Sequence, residues 1–225
     1  HGHGPPGTEA GGMRPVVFLG PSLPLIEAKD ILDADYRPPV KRGDLQHLEG
    51  VELVGIIDGV FLQSCSVGHR EILSLLNRKV KVVGGGSMGA LRAAEMGHYG
   101  MTGVGRIYKM YSSGEVQGDD EVALVFDPET MEPLSEPLVN LRSLLDAACM
   151  ADVIDSTQRA EILSEMRSIY YPRRTVQTFL EVARRTLGEN KAGTFDRFFE
   201  DNYRDIKKED AIAVLKFIKD VCEQL

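Results

Sequence analysis

Residues 80–95, VKVVGGGSMGALRAAE, hold two chemical patterns in one set of letters. Read from Gly85, they are G-x-S-x-G, a nucleophile elbow that sets Ser87 on a sharp strand-to-helix turn. Read from Gly84, they are G-x-G-x-x-G, a turn whose backbone cradles phosphate. A plain tight turn with a serine N-cap has the same spelling. The spacing favours anion handling at a helix N-terminus but does not choose between an oxyanion and a phosphate.

Each reading needs companions. A serine nucleophile needs a base, and His69, just after a predicted strand, would stand on the same sheet edge as Ser87. Asp58 or Glu71 would orient it. His98 lies at the far end of the helix that Ser87 opens, about 16 Å away at 1.5 Å per residue. It is the poorer base, although it better fits the chain order of α/β-hydrolases. The dinucleotide reading expects its turn after the first strand and an acidic residue about twenty positions on. Here the turn follows the third predicted strand, and TGVGRI at 102–107 has no acid. The Gly-Lys-[Ser/Thr] of a Walker loop is also missing.

Further candidates surround the turn. Arg92 and Glu95, three apart, share a helix face; they form a surface ion pair or hold a carboxylate or partner. Asp119, Asp120 and Glu121 make a solvated acidic turn, or a seat for a divalent cation or basic partner. Arg42, in the stiff stretch RPPVKRGDL, belongs to a lid or a plain connection. Cys65, four residues before His69, is a weak candidate for a Cys–His pair, because free cysteine is usually a small buried hydrophobe.

The elements that must position these groups fall into two regimes. Through about residue 126, glycine-rich punctuation separates short apolar runs. These predict strands at 15–20, 51–61 and 80–84, each followed by a helix (24–33, 66–79 and 87–97). Continuous apolar runs suit strands covered on both faces, and the repeated strand–helix order predicts a parallel sheet. After a less regular stretch with a predicted strand at about 121–126, helical periodicity dominates. Helices are predicted at 137–154, 155–170, 172–188, 194–203 and 207–225, with Gly188 and Gly193 at helix ends or turns. The fold class is therefore α/β: an N-terminal parallel Rossmann-like sheet with flanking helices, then an all-helical part. Residues 1–12 read as an expression-tag remnant, which leaves a core at 13–135 and a helical region at 136–225.

Composition narrows the function. The net charge of −8, without a Lys/Arg cluster, speaks against nucleic acid and anionic membrane. No apolar stretch approaches the roughly 18–20 residues of a membrane span. The three cysteines, Cys65, Cys149 and Cys222, have neither metal spacing nor a disulfide framework, which points to a reducing, cytoplasmic setting. No metal or cofactor is expected.

Taken together, the motifs resemble the TfuA-like protein family. The resemblance lies in GPSL (20–23), RPPVKRGDL (37–45), GIIDGVF (55–61), SVGHREIL (66–73), GGGSMGALRAAEMGHYGMTGVGRIY (84–108), GDDEVAL (118–124) and PLSEPLVNLR (133–142). It carries little beyond about residue 150. It implies a partner of YcaO enzymes, which use ATP to activate a backbone amide and, with a sulfur source, form a thioamide. The target would be a ribosomal peptide or an enzyme such as methyl-coenzyme M reductase. The implied sulfur source is a thiocarboxylated, ThiS-type ubiquitin-like carrier, hydrolysed by the TfuA-like partner to release sulfide. That chemistry needs a nucleophile or activated water, a base and an oxyanion hole. Ser87, His69 and the N–H groups of Met88 and Gly89 would supply them. Arg92 would pair with the thiocarboxylate, beside Glu95, and Gly85 and Gly86 would let a glycine-rich tail approach. Two other readings stay open: a non-catalytic module that docks substrate or activates the YcaO enzyme, and a nucleotide-binding protein.

Overall fold

The computed structural model describes residues 14–61 and 64–224; the tag-like residues 1–12 lie outside them. Five strands form one parallel sheet in the order β2-β1-β3-β4-β5. These are β1 (Val16–Phe18), β2 (Asp35–Arg37), β3 (Leu53–Ile56), β4 (Lys81–Gly84) and β5 (Thr102–Gly103). Val17 lies opposite Tyr36 on one side and Gly55 on the other, which fixes the central register. The chain winds from β1 outward to β2, returns past β1 to β3, and continues to β5. The winding therefore reverses between β1 and β3, and the carboxyl ends of these two strands bound the crevice where open α/β sheets bind ligands.

Alternating side chains divide the core. Val16, Phe18, Val54, Ile56 and Val82 face α2 (His69–Asn77), α3 (Met88–Met96) and α4 (Arg106–Ser113). Val17, Leu53, Ile57 and Val83 face α1 (Leu25–Ile31) and α9 (Ile206–Glu223). Gly55 makes room for the latter, since a Cβ there would stand 2.6 Å from Ile218 Cδ1. A second core lies among α5 (Leu138–Met150), α6 (Ser156–Ser168), α7 (Val176–Leu187) and α8 (Glu189–Asn202), around Phe179 and Phe195. Thus the C-terminal region is helical as predicted, but its last helix packs on the sheet. Composition separates residues 13–135 from 136–225, whereas packing assigns α9 to the first unit.

Two local expectations are corrected, and one strand carries no sequence signal: the three half-exposed residues of β2, Asp-Tyr-Arg, contain no apolar run. The strand predicted at about 121–126 does not form. Val122, Ala123 and Leu124 are buried by irregular chain, with only an isolated antiparallel bridge, Phe126 to Pro133. Gly193 lies inside α8, which starts directly after Gly188, where φ is +75°. Among the described residues, no helix is long and apolar enough to cross a membrane.

Candidate functional site

The glycine turn is closed. Gly85 N–H donates to Ile56 O (3.2 Å), and Gly89 N–H donates to Ile57 O (3.1 Å). Gly86 has φ of +74°, a left-handed conformation suited to glycine. A Cβ on Gly85 would lie 2.3 Å from Val104 O, and one on Gly84 would lie 2.3 Å from Gly89 O. The glycines therefore let backbone approach backbone within the fold. Ser87 is fully buried, makes no side-chain cap to α3, and its Oγ has no hydrogen-bond partner among the described residues.

That orphaned hydroxyl gives a prediction. Burying a hydroxyl without a partner forfeits its hydration, at about 1–3 kcal/mol. Ser87→Ala removes the polar atom and little volume. It is expected to fold normally and to raise the midpoint of chemical denaturation.

The predicted companions of Ser87 go elsewhere. His69 Nε2 lies 2.7 Å from Glu95 Oε2, and Arg92 Nη1 donates to the same oxygen at 2.8 Å. Arg92 Nε also donates to Val67 O at 3.1 Å. His69, Arg92 and Glu95 thus form a cluster between α2 and α3, with His69 and Glu95 exposed and the Arg92 side chain largely buried, and among the described residues none of them bonds to Ser87. Glu71 accepts from Gly43 N (2.8 Å) and Gly68 N (3.3 Å), which ties the 37–45 loop to the start of α2. Arg42 N, in that loop, donates to Cys65 O at 2.7 Å. Asp58 accepts from Gly20 N (2.8 Å), Ser22 N (3.1 Å) and Ser22 Oγ (2.6 Å). Neither Asp58 nor Glu71 bonds to His69.

The acidic turn is drawn inward. Asp119–Glu121 is one turn of 3-10 helix. Glu121 forms a buried two-bond pair with Arg142, and Asp120 pairs with the buried Arg174. Among the described residues, no group of three His, Cys, Asp or Glu side chains is placed to hold a metal ion.

A different opening lies at the carboxyl ends of β1 and β2. A cleft of about 660 Å³ runs beside Gly20–Ile26, Tyr36–Pro38 and Glu129–Pro133. Ile26 (75% exposed), Leu25 and Leu134 present apolar surface in this region. A smaller chamber of about 50 Å³ shares Pro21, Ser22, Pro133 and Asp205 with the cleft and adds Glu136, Asn140, Tyr203 and Lys207. Tyr203 Oη donates to Glu136 Oε2 (2.5 Å), and Asn140 Nδ2 donates to Asp205 Oδ1 (3.1 Å). Lys207 is fully buried and donates from Nζ to Val122 O at 2.7 Å.

The chamber perturbs its titratable groups. Burial pushes the Lys207 ammonium below the usual lysine range, against the opposing pull of Asp58, Asp205 and Glu136. Burial pushes the Glu136 carboxyl up, helped by the charge of Asp205 and opposed by the Tyr203 hydrogen bond. An amine and a carboxyl in one chamber are thus both moved toward neutral forms.

The sequence reading missed these residues. Ser22 lies in GPSL, and Glu136 and Asn140 lie in PLSEPLVNLR, where nothing local distinguishes them from turn and helix-start residues. Tyr203, Asp205 and Lys207 come from the C-terminal region, where no motif pointed. Their signal is tertiary.

The family described as TfuA-like protein matches residues 58–175, just over half of the chain. The chain belongs to the TfuA-like protein family. The matched stretch holds Asp58, the glycine turn, the acidic turn, Glu136, Asn140, Arg142 and Arg174. It leaves out Gly20–Leu23 and α9, which complete the cleft of this TfuA-like chain. No curated protein matches the chain.

Proposed function

We propose that this TfuA-like protein serves a YcaO enzyme in backbone thioamidation, by hydrolysing the C-terminal thiocarboxylate of a ThiS-type ubiquitin-like carrier. The reaction is R–COS⁻ + H₂O → R–COO⁻ + H₂S. Water supplies the new C–O bond, and the C–S bond breaks with its electron pair going to sulfur. The family supports the partner role. The observation that carries the hydrolytic reading is the cleft at the sheet's carboxyl edge, which narrows to a buried chamber holding an amine, a hydroxyl and carboxylates. General acid–base catalysis of acyl transfer uses such groups.

The elbow form of this reading takes Ser87 as nucleophile, His69 as base, and the Met88 and Gly89 N–H groups as oxyanion donors. It requires the turn to open, because Ser87 is buried and Gly89 N–H is already bonded to Ile57 O. That closure favours a second reading, a non-catalytic module that docks substrate or activates the YcaO enzyme.

Intact-mass spectrometry of a thiocarboxylated ThiS-type carrier separates them. Wild type is expected to convert thiocarboxylate to carboxylate with release of sulfide. An unchanged carrier rejects hydrolysis and leaves the docking module. If wild type turns over and Ser87→Ala does not, Ser87 is the nucleophile. Equal turnover places the chemistry elsewhere.

A further inference from the structure

We infer that the cleft at the carboxyl ends of β1 and β2 seats the extended C-terminal tail of the carrier, with its terminal group in the chamber beside Lys207, Ser22 and Glu136. This rests on the hydrolytic reading above and locates its reacting centre without opening the glycine turn.

Three observations converge. The first is shape. The cleft is lined by Leu23, Leu25, Ile26, Tyr36, Pro38 and Met131 among others, and its volume suits several residues of extended chain rather than a folded domain. The chamber, at about 50 Å³, admits a terminal group and little more, since one water's share of liquid is already about 30 Å³. A chain terminus with small residues behind it fits this funnel. An internal segment with large side chains does not.

The second is the polar floor. Among the described residues, Val122 O is the one hydrogen-bond acceptor of Lys207 Nζ. An ammonium has three donors, so the amine has capacity for a ligand. The charged and titratable groups facing it are Asp58 after β3, Glu136 before α5, and Asp205 at the cap of α9. Asp58 is already saturated by Gly20 and Ser22, and Tyr203 donates to Glu136. Lys207 is the one basic side chain of the chamber, and its neutral amine, with one N–H on Val122 O, keeps a second N–H for a terminal thiocarboxylate and a lone pair for a proton. The third is convergence: the chamber draws on GPSL, on Leu124 with PLSEPLVN, and on the stretch from Tyr203 into α9, distant pieces of chain that meet beside the carboxyl end of β1.

The chemistry balances within the chamber. Neutral Lys207 takes a proton from water, and the oxygen bonds to the thiocarboxylate carbon. The C–S bond then breaks toward sulfur. Lys207 returns its proton to sulfur, and the proton left on the new carboxyl follows, giving H₂S and carboxylate. Because burial lowers the Lys207 pKa, the amine form is available below the ordinary lysine range. Sulfide release is therefore expected to rise with pH along a limb that belongs to Lys207.

The test uses the full chain and a labelled synthetic peptide of the carrier's last residues, ending in a thiocarboxylate, with the C-terminal amide as control. Ile26→Asp changes an exposed rim residue and leaves the core intact. It is expected to weaken binding of the thiocarboxylate peptide about tenfold, and the amide is expected to bind less well than the thiocarboxylate to wild type. Lys207→Met keeps the stem and removes the amine. Its turnover of saturating carrier is expected to fall about a hundredfold and to lose the rising pH limb. Should Lys207→Met fail to fold, Ser22→Ala replaces it, with a smaller loss of turnover expected. Equal binding by wild type and Ile26→Asp, or no binding to wild type, overturns the seat. Full turnover by Lys207→Met with an unaltered pH profile overturns the role of Lys207. Peptide binding that depends on Ile26, without sulfide release by wild type, keeps the seat and rejects the hydrolase.

Discussion

Gly89→Ala is expected to abolish stable folding. A Cβ at this position would lie 1.7 Å from Ile56 O and 2.6 Å from Ile56 C. Both are backbone atoms of β3, a strand paired on both sides. Ile56 O also accepts Gly85 N–H, and the Gly89 N–H is bonded to Ile57 O. Neither the strand nor the start of α3 can move without breaking the other's hydrogen bonds. Overpacking by extra methylenes in a core commonly costs about 1–3 kcal/mol. A clash of backbone with Cβ, with no flexible side chain to yield, belongs above that range, and whole domains are stable by only about 5–15 kcal/mol. The measurement is soluble yield and thermal unfolding by circular dichroism. Gly193→Ala is the matched control. It lies within α8 with nothing within 4 Å of its Cβ, and it is expected to stabilise by about 0.5–1 kcal/mol. A Gly89→Ala protein that melts like wild type would mean that α3 does not approach β3 this closely.

Arg142→Met is expected to cost about 3–5 kcal/mol. Its guanidinium reaches both Glu121 oxygens, at 3.2 and 2.5 Å, and the Glu121 side chain is only 2% exposed. Removing the arginine leaves a carboxylate desolvated and unpaired. Removing both charges does not, so Glu121→Leu with Arg142→Met is expected to recover most of the loss. Urea denaturation of the two single variants and the double variant gives the coupling. Simple additivity of the single costs would show that the pair is not buried in solution. The pair joins the acidic turn to α5, so this change is also expected to loosen the hold of that turn on the helix.

These cases show which parts of the molecule were legible in the sequence. β1, β3 and β4 could be read because buried parallel strands are continuous apolar runs, and α2, α3 and α5–α7 because their apolar positions recur with helical period. β2 could not, since an edge strand three residues long borrows its conformation from β1. The stretch Val122–Leu124 has the composition of a strand, but its carbonyl at Val122 is taken by Lys207 and the N–H of Val125 by Ser135. At the site, the glycine pattern was visible and its cause was not. The same spelling serves close backbone packing as well as nucleophile presentation, and only the position of β3 and α9 tells them apart. Asp58 was singled out, but its partners, Gly20 and Ser22, lie thirty-eight and thirty-six residues away. The chamber needs contacts across still longer separations, such as Lys207 to Val122 over eighty-five residues.

The packing of α9 has a consequence for the order in which the molecule comes into being. Val17, Leu53 and Val83 are made early, but the helix that covers their face of the sheet is made after about two hundred residues have left the ribosome. Until then one face of a parallel sheet stays exposed, a state prone to misassociation in slow, non-local folds. The same late helix carries Lys207 at its first turn and Asp205 as its cap. Completion of the hydrophobic core and completion of the polar chamber are therefore one event. A chain still under synthesis holds the strands and the glycine turn but lacks the amine, so the folding step that makes the protein safe from aggregation is also the step that closes the polar chamber.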